Sequence, residues 1–216
     1  IKLYNQLKPS LVQPVQLTDA YKDHYHFIRS VKPYGGRLEI YNVNPIMDAV
    51  LKDERVLGVA PKISTQVFYT VGAVDVAGVI NGVDVEAENN LFFFSTYVTT
   101  GNYIDLKNIP NSIILGKAAA DQMLAKIGDV IQVTTVTGEQ QQFKVVGYFQ
   151  SGLNDLVKVQ SYTSLNTAQK LLGESRNYIT DLQVKLKDIE LAPAMAKEYS
   201  ALFGIDAEDI QTANAQ

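Results

Sequence analysis

The sequence contains no cysteine and only two histidines, His24 and His26. The first absence excludes disulfides, thiolate metal sites and cysteine nucleophiles. It fits any compartment. The second leaves little for metal chemistry. A His-x-His pair turns both rings one way only on a strand. Here the surrounding pattern is helical, and the rings would diverge by about 200°. No third ligand at suitable spacing accompanies them, so a structural pair is expected and no metal site.

Basic blocks are also missing. Net charge is −4, and Lys2, Lys22, Lys107 and Lys158 typify cations that are scattered along the chain. A nucleic-acid partner needs a phosphate-neutralising patch, so none is expected. No run approaches the roughly 18 apolar residues of a membrane helix, and no signal-peptide pattern is present. The chain opens on Ile1 without a methionine. It is read as an excised or processed piece.

Catalytic signatures are absent as well. ILGKAAA (113–119) lacks the glycine and the Ser or Thr of a phosphate loop, since Asn111 and Ala118 hold those positions. Gly116 is expected to make a strand-to-helix turn instead. No G-x-S-x-G elbow exists, and no histidine neighbours a nucleophilic serine. Acidic pairs occur at Asp53 with Glu54, at Glu86 with Glu88, and at Asp206 with Glu208 and Asp209. Such pairs are mostly solvated faces or helix-start charges. No enzyme and no cofactor is expected.

What is present is a globular composition. The 216 residues are 46% hydrophobic and 19% charged, enough for one large domain or two small ones. Residues 1–35 read as a leading segment, with Thr18 placed to cap a short helix carrying Tyr21, Tyr25 and Ile28 on one face. RLEIY (37–41) alternates as a strand. Asn44-Pro45 reads as a helix start, with Asn44 as N-cap and Met47, Val50 and Leu51 as the buried stripe. Residues 56–70 and 73–85 are long β-rich runs, and Gly72 suggests a tight connection.

The far end repeats this grammar. Leu182, Val184 and Leu186 alternate with Gln183, Lys185 and Lys187 as a half-buried strand. Ala192, Met195, Ala196, Tyr199 and Phe203 follow at helical spacing, with Gly204 as the stop. A last strand is expected over 206–213. The middle carries two small helices, one with Ala120, Met123, Leu124 and Ile127 before Gly128, one with Leu165, Ala168, Leu171 and Leu172 before Gly173. The expected fold class is α+β. An outer domain with βαβ halves spans 36–85 and 179–216, and a β-rich subdomain spanning 86–178 is inserted between them.

Two stretches are candidates for contact with a partner. LFFFSTYV (91–98) is the most apolar run. Read as a strand, it puts Phe92 and Phe94 in the core and Phe93 against a neighbour, or on an exposed apolar surface. GDVIQVTTVTGEQQQFKVVGYF (128–149) reads as a hairpin with a polar tip, 134–142, around Gly138. The hairpin is expected mainly to complete the β-rich subdomain. Glu139, Gln140, Gln141 and Gln142 are weaker candidates for partner contact.

TTGNYID (99–105), NSIILGKAAADQML (111–124), IGDVIQV (127–133), FKVVGYFQSGLNDLVKV (143–159) and SLNTAQKLLG (164–173) follow in compact order. Together this set resembles the MacB-like periplasmic core domain of ABC transporter permeases. The resemblance covers about 36–213 and is strongest over 99–186. It implies a domain between the first and second of four transmembrane helices, split into a porter part and an inserted Sabre part. It implies an extracytoplasmic, non-catalytic location on an inner-membrane protein. The implied partners are a cytoplasmic ATPase, a second permease subunit, and a lipoprotein or other hydrophobic cargo. The role implied is mechanotransmission: ATP-driven helix motion is passed to cargo handling outside the membrane.

In carrier-binding lipoprotein permeases the two hairpin strands are joined by a long hook. Here only TVTGEQQQ links them, so the hook is absent. Lipoprotein release is slightly favoured over drug or peptide export. Tyr21, Tyr25, Phe27 and Phe93 are the expected cargo contacts. The alternatives are a free-standing binding or scaffold module and, more remotely, a hydrolase using an acidic pair.

Overall fold

The structure, a computed structural model, describes residues 1–6, 38–72, 74–150 and 160–209. One mixed sheet runs through it. The strands are β1 (Lys2–Tyr4), β2 (Val56–Val71), β3 (Val74–Val83), β4 (Val98–Gly101), β5 (Ser112–Gly116), β6 (Val130–Thr135), β7 (Gln140–Phe149), β8 (Gln160–Ser164), β9 (Asp181–Leu186) and β10 (Asp206–Glu208). The helices are α1 (Val43–Leu51), α2 (Val85–Phe92), α3 (Asp105–Asn108), α4 (Lys117–Met123), α5 (Leu165–Leu172) and α6 (Ala192–Phe203).

The first four strands lie in the order β10-β1-β9-β2, each antiparallel to its neighbour. β1, α1 and β2 therefore form a βαβ unit whose parallel strands are separated by β9. β9, α6 and β10 form a second such unit, separated by β1. Each half donates a strand to the gap of the other, the split βαβ arrangement. α1 and α6 cover one face. Val43, Ile46 and Val50 from α1 and Met195 and Tyr199 from α6 pack with Leu3, Val59, Ile63, Leu182 and Val184 of the strands.

β2 is the spine. Its sixteen residues reach about 50 Å if straight, at ~3.3 Å per residue. Val59 and Ile63 join the helix-covered core. Val67 and Tyr69, on the same strand face, line a second core. That core lies inside a closed ring. β2 pairs with β3, β3 with β8, β8 with β5, β5 with β7, β7 with β6, and β6 returns to β2. Ring closure leaves no free edge among these six strands. The ring is filled by Val67, Tyr69, Ile80, Ile113, Leu115, Ile131, Val133, Phe143 and Val145, with Ala119, Ala120 and Met123 of α4 packed on them. A third core, around Phe94, Leu106, Ile114, Val146 and Phe149, backs the β5–β7 wall.

Several expected elements occur. α5 starts on Ser164, whose side chain accepts from Thr167 N, and ends on Gly173 at φ 66°. α6 ends on Gly204 at φ 65°. Gly116 stands at the β5–α4 junction. The β2–β3 connection is as tight as Gly72 suggests, with Val71 paired to Val74.

Other expectations are corrected. Residues 38–41 form a bend and turn, not a strand. The first strand of the sheet is instead β1, in the stretch read as a leading segment, where Leu3 is fully buried. The α1 N-cap is Asn42 at φ 55°, not Asn44, and its side chain makes no capping bond. Leu51 is exposed. α4 stops at Met123, so Leu124 and Ile127 are exposed, not buried. LFFFSTYV is not a strand. It is the end of α2, a one-residue break and a short 3-10 turn over Phe94–Tyr97. The hairpin tip is 136–139 alone, because Gln140, Gln141 and Gln142 already pair with Thr134, Val133 and Gln132. Of the last strand, Asp206–Glu208 is described.

Candidate contact surface

The surface forms where α2 ends. Asp84 starts this helix by accepting from the N–H groups of Glu86 and Ala87 at 3.2 and 3.0 Å. The helix crosses the face of the β1–β9–β2 sheet that α1 and α6 leave open. Close approach depends on Gly58 of β2. A Cβ there would meet a Leu91 methyl at 2.6 Å. The chain then turns through Phe93, which adopts φ 57° and donates its N–H to Asn89 O at 2.9 Å. The reversal drops Phe94 into the third core and leaves Phe93 60% exposed.

Lys185 of β9 holds this turn. Its ammonium group donates to Leu91 O and lies 5.0 Å from the Phe93 ring centre and 5.6 Å from that of Phe92. A cation at a helix C-terminus meets the negative end of the dipole, and a ring face adds roughly 0.5–1 kcal/mol at an exposed site.

Beside Phe92 runs an open groove of about 520 Å³, walled by Ile1, Val184, Leu186, Ile189 and Ala192 and bordered by Lys185, Lys187 and Asp188. A smaller hollow of about 290 Å³ continues it past Lys2, Gln183 and Glu208. The walls are largely apolar and the rim is charged. Such a site accepts an apolar group whose polar end stays at the rim.

Deeper along α2 lies a polar layer. Glu88 is buried, and its Oε2 has no hydrogen-bond partner among the described residues. Burial raises its pKa, and the nearby Lys62 of β2 opposes this. Burial lowers the Lys62 pKa, opposed by Glu88 and Asp181. Asp181 in turn pairs with Lys2 at 2.7 Å and accepts from the Thr180 hydroxyl at 2.5 Å. This layer ties β1, β2, β9 and α2 together where β2 passes from one core to the next.

The expected contact residues do not all come together. Tyr21, Tyr25 and Phe27 lie outside the described residues, as do His24 and His26. Phe93 does not line the groove but lies next to Phe92 and against Lys185, which do. Glu139, Gln140 and Gln142 are exposed on the ring-closing hairpin and Gln141 is half-buried. Glu139 is held within the turn, its N–H donating to Thr135 Oγ1 at 3.1 Å while its carbonyl accepts from Thr135 N at 2.8 Å. Sequence reasoning missed Lys185, which alternation alone places on a solvated face. It also missed Ile1, Val184, Leu186 and Ile189 as one groove. The apolar alternation of β9 was the available signal.

Comparison with known proteins agrees with this architecture. The family model of the MacB-like periplasmic core domain matches residues 15–202. No curated protein matches the chain. Among solved structures, the chain is similar to the extracellular domain of the noncanonic ABC-type transporter YknZ from Gram-positive bacteria. The TM-score is 0.54 at 15% identity, covering 76% of this chain and 84% of that one. It is also similar to the periplasmic region of MacB from Actinobacillus actinomycetemcomitans. There the TM-score is 0.53 at 15% identity, covering 82% of this chain and 79% of that one. Both relatives are transporter domains and neither is described as an enzyme. Among the described residues no helix is long and apolar enough to cross a membrane. With most of its length matched and the fold shared, the chain belongs to the MacB-like periplasmic core domain family and is an extracytoplasmic domain of an inner-membrane ABC transporter permease.

Proposed function

We propose that this domain handles hydrophobic cargo for its permease and does so mechanically, without catalysis. The observation that carries the reading is the apolar groove beside Phe92, with Lys185 and Lys187 at its rim and the exposed Phe93 ring against Lys185. An acyl chain or apolar peptide segment suits those walls, and a lipoprotein is favoured slightly over a drug or free peptide. Tyr21, Tyr25 and Phe27 are proposed as further cargo contacts. ATP hydrolysis belongs to a cytoplasmic subunit, and a second permease subunit completes the transporter. Flanking transmembrane helices carry the motion.

The domain division is part of the same proposal. A porter-like unit spans 36–85 with 179–216, and a Sabre-like unit spans 86–178, with 1–35 leading in and contributing β1 to the porter-like sheet. Two separate cores on one continuous β2 support a stiff connection between them. Motion of the porter unit would then swing the ring as a rigid body. The short 136–139 tip supports a hookless permease, and Glu139, Gln140, Gln141 and Gln142 remain secondary partner contacts.

Cross-linking tests the reading. A photoreactive residue at position 93 of the full permease should capture cargo during turnover. Phe93→Asp should impair transport while the domain melts at the parent temperature, because the side chain is largely exposed. A Phe93→Asp domain that melts well below the parent would make Phe93 a core residue and end the cargo reading.

A further inference from the structure

We propose that the end of the sheet carrying Phe93 seats on the headgroup surface of the bilayer itself. Strand register defines that end. β1 begins there, β10 ends there with Glu208 opposite Lys2, and β2 begins there with Val56 opposite Leu186. Leu57 follows in the β-bulge of β2, and Ile189 and Leu191 lie in the β9–α6 connection at the same end. Leu57 and Ile189 are each 56% exposed and Phe93 60%. The apolar side chains come from three separate segments, yet they share one rim.

The conformation of Phe93 strengthens the case. An L-residue in the left-handed region costs about 1–2 kcal/mol, and helices normally end there on Gly or Asn. This chain follows that habit at Gly173 and Gly204 but not at Phe93 or Leu124, and of these two only Phe93 stands on this rim. The ring is 60% exposed, so burial offsets little of that cost, and its main contact is the Lys185 ammonium group. A phenyl ring with a lysine beneath it suits a membrane interface, where the ring enters the acyl boundary and the ammonium group stays with the headgroups.

The occupant is a bilayer because this is a domain of an inner-membrane permease. Around the rim, Lys2, Lys185 and Lys187 are balanced by Asp188, Glu190 and Glu208. That mixture favours a zwitterionic surface over an anionic one, and apolar insertion over charge attraction. Binding should therefore change little with salt. The inference rests on the permease assignment and not on the cargo reading.

The chain has no tryptophan, so a single introduced indole reports alone. Phe93→Trp and Ile189→Trp would be compared with Val74→Trp, at the far tip of the β2–β3 hairpin. Each chain is held by an N-terminal hexahistidine tag on phosphatidylcholine vesicles containing a nickel-chelating lipid. Bromines on the acyl chains quench only on near contact, so the tether alone produces no signal. The expected result is at least twofold quenching at 93 and 189, none at 74, and no loss in high salt. Absent quenching at both 93 and 189, or equal quenching at 74, would overturn the proposal. Ile189→Trp keeps the test valid if Phe93→Trp misfolds. Cargo cross-linking from position 93 that persists without quenching would sink the bilayer contact and leave the cargo reading standing.

Discussion

The Tyr69 hydroxyl lies 2.5 Å from the Ser161 Oγ, inside the strand ring, and joins β2 to β8 across the β3 strand that separates them. Ser161 Oγ also reaches Val79 O at 3.5 Å. The Tyr69 side chain is completely buried. Burial pushes its pKa well up, and the Ser161 bond only partly offsets this. A raised pKa means the protonated form belongs to the fold. Its stabilisation is complete below the unfolded value of about 10 and is lost as pH rises through the folded value. Denaturant melts at rising pH should therefore show stability falling above about pH 10. Tyr69→Phe should cost about 1–2 kcal/mol at neutral pH. It should also flatten that alkaline slope, and an unchanged slope would assign the effect to Tyr162 and Tyr199, whose pKa values are raised too.

Gly82 makes the ring compatible with α5. A Cβ at this position would sit 2.3 Å from the Ala168 Cβ. Gly82→Ala should destabilise by about 1–3 kcal/mol, since neither strand nor helix backbone can yield easily. Ala168→Gly should cost about 1 kcal/mol through helix propensity. The double variant should be more stable than the sum predicts, and urea unfolding of the four proteins would measure the difference. Strict additivity would mean that α5 shifts to relieve the clash.

Some helix and strand boundaries are readable from local signals. Ser164, Gly173 and Gly204 mark helix boundaries that hold because caps act within one turn. The Leu182, Val184, Leu186 alternation likewise becomes β9. The ring is not readable in this way. Its closure requires Val67 to pair with Thr135, far along the chain, and no local pattern encodes that partner. β1 was hidden for the same reason, since three residues gain their identity from β9 and β10 on either side. At the candidate surface, Phe93 was recognisable as the odd phenylalanine of LFFF, but the strand reading was wrong. Three consecutive bulky residues satisfy a helix end plus reversal as well as a pleat, and Gly58 with Lys185 decides between them.

Arg55 clamps the start of β2 to α6. Its guanidinium bonds Asp53 at 2.7 Å and both carboxylate oxygens of Glu198 at 3.0 Å, while the Tyr199 hydroxyl donates to Asp53 at 2.9 Å. The Arg55 hydrogen bonds hold the Asp53 carboxyl well below the usual range. A depressed pKa stabilises the fold above the unfolded value of about 4, and the gain is lost as pH falls through the folded value. Thermal melts from pH 6 to pH 2 should therefore steepen below about pH 4. Asp53→Asn should lower the melting temperature at pH 7 and flatten the acid limb. Tyr199→Phe should cost about 1 kcal/mol. An acid limb identical in Asp53→Asn would show that other carboxylates dominate acid unfolding.

Phe93 and Leu124 allow stability and function to be separated. Both end a helix in the left-handed region, at φ 57° and 54°, and both are exposed, Leu124 by 81%. Asparagine tolerates that conformation better than either. Leu124→Asn and Phe93→Asn should each stabilise the isolated domain, by roughly 0.5–1 kcal/mol, less for Phe93 because its contact with Lys185 is lost. Their effects on transport should differ. Phe93→Asn should reduce transport by the complete permease although its domain is no less stable, whereas Leu124→Asn, on the α4 side of the ring, should leave it intact. Chemical unfolding of the domains beside a transport assay of the permeases would read both quantities. A Phe93→Asn permease with full activity would show that the exposed ring serves neither cargo nor membrane.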